Sequence, residues 1–365
     1  MVRILIACGG TGGHLSPGIA IAQRLSELGH SGPIAISEKG VDGRLAADYG
    51  NLKFYPLPGS GFSLRPVPLM SFFWNGLRGF LRAWKLLNRE KVDAVLAFGG
   101  FTSLWVGLAA LLRRKPIYLH ESNLRLGKAV RLLSPFARRV FLPLPLKARK
   151  RYGRSEKFLA AGCPLRRDFV PIERAEARRA LNLPESGRLL LLVGGSQGAR
   201  VLVHWMVERE RELAAHGFHG ICLTGPGGGE LERSLRDKNG NRLIMRYLPF
   251  SGTMALLYSA ADVAVCRAGA GTLAELVAVG LPNVLVPYPS SSGDHQLANG
   301  RAMEAAGASI LLPQDRMGYL LANVLRLAEP ERAKEMACAL GRLRAETGNA
   351  AQLIIDTILE DLRHR

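Results

Sequence analysis

Short, uninterrupted apolar blocks recur along the chain, each closed by glycine or a polar turn and followed by a segment of helical length. In the first half they are "VRILIA", "GPIAIS", "DAVLAFGG" and "KPIYLHE"; in the second, "RLLLLVGGSQGAR", "GICLTG", "ADVAVCRAG" and "PNVLVPYP". A half-exposed strand alternates polar and apolar positions, whereas these blocks are apolar throughout, as strands covered on both faces are. The pattern predicts an α/β protein with parallel sheets. The halves echo each other: "ILIAC" runs into Gly9-Gly10 and "LLLLV" into Gly194-Gly195. Between them, a charged stretch with Pro164, Pro171 and Pro184 reads as a domain boundary. Two doubly wound domains are expected, 1–162 and 163–344, with ligands at the carboxyl ends of the strands. The tail, "AAQLIIDTILEDLRHR", has the periodicity of an amphipathic helix.

The length of 365 residues agrees with two domains. Five cysteines, odd in number and with no C-x-x-C pair, point to a reduced, cytosolic protein without a disulfide framework. The first apolar run is too short for a signal peptide, and "LWVGLAALL" falls well below the roughly 20 residues of a bilayer span. The net charge of +19 is unevenly placed. Residues 1–162 hold 25 Lys and Arg against 8 Asp and Glu; the rest hold 24 against 22. The first half therefore has the charge of a surface that docks on something anionic, nucleic acid or acidic lipid.

Candidate chemistry gathers in the glycine turns. "CGGTGGHLSPG" places Gly9, Gly10, Gly12 and Gly13 around Thr11, matching neither the dinucleotide fingerprint nor the phosphate loop. Ser16 fits an N-cap and Pro17 a first helical position, so a helix is expected to begin there, its dipole favouring an anion at the loop. His14 lies at that mouth, as a general base or a hydrogen-bond donor. "FGGFTS", with Gly99 and Gly100, and "GGSQGAR", with Gly194, Gly195, Ser196 and Gln197, repeat the device. In "CRAGAGTLAELVAVGLP", Thr272-x-x-Glu275 reads equally as a capping box or as a site where Glu275 accepts both hydroxyls of a ribose. "HESN" (120–123) and "SGDHQLAN" (292–299) bring polar residues to strand ends, with Asp294 a cap and Gln296 the better ligand candidate. His216 and His219 lack further zinc ligands, and no Asp-x-Asp pair is present to bridge a metal to a diphosphate. A diphosphate leaving group would then be stabilised by backbone N–H groups and helix dipoles.

The segment from Pro68 to Lys91 carries Arg78, Arg82, Lys85 and Arg89 on one narrow helical stripe. Met70, Phe73, Leu77, Phe80, Leu81 and Trp84 fill an adjoining broad face, with Trp74 in the same run. Such a helix either lies in a membrane interface or packs on the sheet. Gly76 and Gly79 weaken it in isolation. Basic clusters at 113–115 and 147–154 favour the membrane, where each Lys or Arg adds about 1 kcal/mol near anionic lipid. They lack the interleaved aromatics of a nucleic-acid platform, so no nucleic-acid partner is expected.

Taken together and in order, "GGTGGHLSPGIAIA", "HESN", "GCPLRRD", "GGSQGAR", "CRAGAGTLAEL" and "DHQLAN" resemble the MurG family of peptidoglycan glycosyltransferases, over nearly the whole chain. The resemblance implies a GT-B fold, two Rossmann-like domains separated by a deep cleft, with the terminal helix, 345–365, crossing back onto the first. It implies an inverting, metal-independent transfer of N-acetylglucosamine from UDP-N-acetylglucosamine to undecaprenyl-pyrophosphoryl-MurNAc-pentapeptide, with no cofactor. Donor contacts carry over to Thr11, Gly12, Gly13, Asn123, Arg166, Ser196, Ser251 and Gln296. Ala270, Gly271, Thr272, Leu273 and Ala274 would line the nucleotide site, and Glu275 would take the ribose. Gly10, Gly99, Gly100 and Gly195 would serve diphosphate loops, with His14 as the candidate base. Membrane contact would fall on Phe73, Trp74, Leu77, Arg78, Phe80, Leu81, Arg82, Trp84 and Lys85. The same resemblance implies a peripheral protein on the cytoplasmic face of the bacterial inner membrane, working with anionic lipids and cell-wall synthesis proteins in cell shape and division. Ser122 stands where the family usually has Gln, Cys163 where Asn is common, and Ser251 where an apolar residue is usual. Two other readings remain: a UDP-sugar transferase for another lipid acceptor such as diacylglycerol, and a non-enzymatic basic binding protein.

Overall fold

The computed structural model describes the chain except residues 10, 11, 39–42, 44, 45, 61–65, 144–155, 185, 196, 197, 226, 290, 292, 293 and 365, together with the side chains of 12 and 66–69. It divides into two compact units, Met1–Arg167 with Thr347–Arg365, and Asp168–Glu346. Each is built on one seven-stranded sheet.

In the first unit the strands are β1 (Ile4–Ala7), β2 (Ile34–Ser37), β3 (Phe54–Leu57), β4 (Ala94–Ala97), β5 (Ile117–His120), β6 (Arg139–Leu142) and β7 (Phe158–Ala160). Their spatial order is 3-2-1-4-5-6-7, and every pairing is parallel. The helices are α1 (Gly12–Glu27), α2 (Pro66–Arg89), α3 (Gly100–Leu112) and α4 (Lys128–Leu133). Ile4 and Ile6 of β1 point into a core with Leu15, Ile19 and Leu25 of α1. Leu5 and Ala7 point the other way, against Leu86 and Leu87 of α2 and Val106 and Ala110 of α3. Strands buried on both faces need no polar alternation, which is why the apolar blocks were continuous.

In the second unit β8 (Arg188–Val193), β9 (Phe218–Leu223), β10 (Leu231–Arg236), β11 (Arg242–Leu248), β12 (Val263–Cys266), β13 (Asn283–Leu285) and β14 (Ile310–Leu311) order as 10-11-9-8-12-13-14. All pair in parallel except β10, which returns antiparallel on β11. The helices are α5 (Arg174–Ala180), α6 (Arg200–Ala215), α7 (Met254–Ala260), α8 (Ala270–Val279), α9 (His295–Ala305), α10 (Leu320–Leu327) and α11 (Pro330–Thr347). Gly348, at φ +52°, then separates α11 from α12 (Ala350–Arg363), whose Asn349 cap accepts from Gln352 N at 3.1 Å. Ile354, Ile355 and Ile358 of α12 are fully buried in the first unit's core.

One local expectation is overturned and another extended. α1 begins at Gly12, so Ser16 and Pro17 lie inside it rather than at its start. Proline costs a helix the bond to the carbonyl four residues back. Here that carbonyl is Gly13's, and Gly13 is exposed, so water can take its place. Gly76 does more than weaken α2: a β-carbon there would collide with the Trp105 ring of α3, so its absence lets the two helices close.

Candidate donor and acceptor sites

In each unit the strand order reverses once, at β1/β4 and at β8/β12. An open α/β sheet presents ligand loops at such a switch point, and the glycine turns lie at both.

In the first unit the β1–β4 register, Ile4 with Ala94 through Ala7 with Ala97, brings Gly9 beside the Gly99-Gly100 turn. Gly100 sits at φ +77°, and a β-carbon on it would lie 2.7 Å from Gly9 O. β-carbons built on Gly99 and Gly100 would lie 3.6 Å from His14 Nε2 and Nδ1 respectively, so the half-buried imidazole stands over this turn. Ser103 Oγ, in the first turns of α3, lies 2.6 Å from Gly99 O and 2.8 Å from Ala7 O, tying the two strand ends together. Gly10 and Thr11 lie outside the described residues.

β5 delivers "HESN" to the same end of the sheet. His120 is fully buried, with Nε2 2.9 Å from Gly162 O, so that nitrogen carries the proton. Ser122 Oγ is 3.4 Å from its Nδ1, and the Phe98 ring packs on it. Burial pushes its pKa down to about 4, and the neighbouring His14 acts the same way. His120 is thus a neutral strut. Buried Glu121 accepts from Asn123 N at 2.9 Å, Asn123 Nδ2 at 3.2 Å and Gly127 N at 2.6 Å. It holds the 121–127 loop, although burial raises its own pKa. Arg166 belongs to this unit and donates to Tyr49 Oη at 2.8 Å.

In the second unit β8 ends in Gly194 and in Gly195 at φ +78°, whose carbonyl accepts from Gly198 N at 2.9 Å. Ser196 and Gln197, between them, lie outside the described residues. β12 leads through Arg267 to α8, whose N-cap is Gly269 with no side-chain cap bond. Thr272 and Glu275 are therefore the third and sixth residues of the helix, and the capping-box reading falls. The first N–H bonded within the helix turn is that of Leu273, to Gly269 O at 3.0 Å. This leaves Ala270, Gly271 and Thr272 to present the N–H groups that a helix cannot satisfy internally, at the positive end of its dipole. Leu273 is 4% exposed, so its side chain turns into the core, away from that open turn. Glu275 is half-buried one turn further on.

Gln296 lies in the first turn of α9 and accepts from Tyr288 N at 2.8 Å through Oε1. Asp294 is that helix's N-cap by position, at φ +55°, yet makes no side-chain cap bond. Ser251 Oγ accepts from Thr253 N at 3.1 Å in the turn before α7. Arg267 was not foreseen. Almost fully buried, it donates to Val286 O at 2.9 Å, Pro287 O at 3.2 Å and Gln314 Oε1 at 2.8 Å, fixing the loop that carries Tyr288. An arginine directly after an apolar strand was its sequence signal. Among the described residues no group of His, Cys, Asp or Glu is placed to hold a metal ion.

On α2, Met70, Phe73, Trp74, Leu77 and Leu81 are exposed by half or more of their surface. Arg78, Arg82 and Lys85 flank them, also exposed, with Arg82 paired to Glu38 at 2.5 Å. Phe80 and Trp84 are corrected: they pack against the unit's core, and Arg113 stacks on Trp84 at 4.0 Å. Among the described residues no helix is long and apolar enough to cross a membrane.

Comparison with known proteins assigns the class first. Residues 4–142 match the glycosyltransferase family 28 N-terminal domain, and residues 189–356 its C-terminal domain. Two Rossmann-like sheets in this pairing are the GT-B architecture. It is shared, at 15% identity and a TM-score of 0.65, by a UDP-GlcNAc 2-epimerase from Neisseria meningitidis, so the fold alone selects no reaction. The crystal structure of Acinetobacter baumannii MurG matches over 98% of this chain and 99% of its own, at 26% identity and a TM-score of 0.70. The UDP-N-acetylglucosamine–N-acetylmuramyl-(pentapeptide) pyrophosphoryl-undecaprenol N-acetylglucosamine transferase of Opitutus terrae is 40% identical, covering 100% of this chain and 96% of its own. Its counterpart in Acidithiobacillus ferrooxidans is 35% identical over 98% and 97%. The chain belongs to this transferase family.

Proposed function

We infer that the protein transfers N-acetylglucosamine from UDP-N-acetylglucosamine to the muramyl 4-hydroxyl of undecaprenyl-pyrophosphoryl-MurNAc-pentapeptide. The observation that carries this reading is the open first turn of α8, with Glu275 one turn beyond it, in a chain of this family. The second unit takes the donor: Glu275 accepts from the ribose hydroxyls, and the N–H groups of 270–272 and the Gly194-Gly195 turn meet the pyrophosphate. The first unit takes the acceptor, its diphosphate against the Gly9–Gly13 and Gly99-Gly100 turns.

His14 removes the proton from the muramyl hydroxyl as that oxygen attacks the anomeric carbon. The bond from this carbon to the UDP oxygen breaks with its electron pair, in one displacement that inverts the centre. The charge gathering on UDP meets backbone N–H groups and a helix dipole already in place, so no metal is required. The exposed stripe of α2, bordered by basic residues, lays the first unit on the cytoplasmic face of an anionic membrane, where the lipid acceptor resides.

The test is transfer of labelled N-acetylglucosamine to a short-chain lipid-linked muramyl-peptide with EDTA present. Turnover that falls about a hundredfold or more in Glu275→Ala supports the reading. Tight donor binding without turnover would redirect the acceptor assignment to another lipid, and absence of donor binding would overturn it altogether.

A further inference from the structure

Tyr258, on α7, is fully buried, its ring edge-on to Phe169 with centroids 5.8 Å apart. The ring explains its place in the core; the hydroxyl does not. That oxygen is sealed from solvent and makes no hydrogen bond of good geometry, although polar side chains lie close around it. Phenylalanine would pack equally well without leaving a polar atom stranded, and stranded polar atoms in native cores call for a reason. The groups facing this hydroxyl supply one: Glu275 and Thr272 of α8, and the Cys266 thiol at the end of β12. Two of the three belong to the helix whose first turn is open, and one is the carboxylate assigned to the ribose.

We propose that Tyr258 is the positioning residue for Glu275, its phenol donating to the carboxylate when a nucleotide draws that side chain into its ribose-reading rotamer. The chemistry matches. A neutral phenol has one proton to give, and a carboxylate has about four acceptor sites. One site spent on Tyr258 leaves enough for both ribose hydroxyls and favours a single carboxylate rotamer. The buried phenol thus faces the carboxylate it is to hold in place. This inference rests on the ribose role of Glu275, so its test reads that role separately.

Donor kinetics are measured for the wild type, Tyr258→Phe and Glu275→Ala, each with UDP-N-acetylglucosamine and its 2′-deoxyuridine counterpart. For Tyr258→Phe, the donor KM is expected to rise about tenfold and the preference for the ribo donor to fall by a similar factor. The acceptor KM should stay unchanged and the melting temperature should be equal or higher, because the ring remains. A merely structural tyrosine would move the melting temperature and leave the ribo/deoxy ratio alone. A Tyr258→Phe enzyme with wild-type donor KM and ratio, beside a Glu275→Ala enzyme that has lost the preference, overturns the positioning role alone. Retention of the preference in Glu275→Ala overturns the ribose assignment and this inference together.

Discussion

A β-carbon on Gly100 would lie 2.7 Å from the Gly9 carbonyl, in a residue already at φ +77°. Gly100→Ala must therefore push the β1 and β4 turns apart beneath His14. Displacement by about 1 Å at a reacting centre is worth about a hundredfold in rate, so kcat is expected to fall by that order. Donor affinity, measured calorimetrically, should hold, because the second unit is untouched. A Gly100→Ala enzyme with wild-type turnover would separate this turn from catalysis. His120 supplies a different residue-scale expectation. It stays neutral in the fold down to pH about 4, against about 6.5 in an unfolded chain. As pH falls through this window the unfolded state binds a proton that the native state refuses, so stability present above about pH 6.5 drains away towards pH 4. The loss is of order 3 kcal/mol for a shift of that size. In His120→Gln, the decline of melting temperature between pH 7 and 4.5 should be shallower than in the wild type; an identical decline would remove His120 as its source.

Helices and strands differ in how far the sequence disclosed them. Most inner strands were legible because burial on both faces leaves one composition, apolar throughout, as in "ILIA" and "LLLLV". β3, β6, β7, β10, β11 and β14 were not read: β3, β7 and β14 are edge strands of two to four residues, β10 at its edge is the polar "LERSLR", and arginines break the apolar runs of β6 and β11. Helix starts were misread where glycine, which has no capping side chain, opens the helix, as Gly12 and Gly269 do. Three-residue spacing alone made Thr272 and Glu275 a capping box; only the position of the first turn removes it. The α2 stripe was legible as amphipathic, yet periodicity could not tell Phe80 and Trp84, which pack inward, from Phe73 and Trp74, which do not. That distinction gives the element its prediction. Trp74→Glu with Leu77→Glu should leave the melting temperature unchanged, because both side chains are exposed. Binding to phosphatidylglycerol vesicles should weaken at least about tenfold for each, given roughly 1.5–3 kcal/mol for burying such a side chain. Phe80→Glu should instead destabilise the fold. Unchanged sedimentation of the double variant with vesicles would move the membrane contact elsewhere.

For the whole molecule, the informative feature is that the first unit is discontinuous in sequence. Its core includes Ile354, Ile355 and Ile358 from α12, packed with Ile4 and Ile6 of β1 and Leu15 and Ile19 of α1. Arg139 holds Asp361 at 3.1 Å, and Arg24 Nε donates to the Gln352 side chain at 2.6 Å. A chain ending at 167 would expose that apolar face, and losing a single buried isoleucine already costs about 2–5 kcal/mol, so loss of three exceeds the whole stability of a typical domain. The second unit is continuous, Asp168–Glu346, with its own sheet and covering helices. Residues 168–346 expressed alone should therefore fold cooperatively and bind UDP, read by calorimetry. Residues 1–167 alone should aggregate, and joining 347–365 to them by a flexible linker should restore a sharp melting transition. If 1–167 melted cooperatively without α12, the terminal helix would be an accessory to that core rather than a part of it. The two-unit division makes the opposite outcome the expected one, because α1 covers only part of that face and the three isoleucines of α12 complete it.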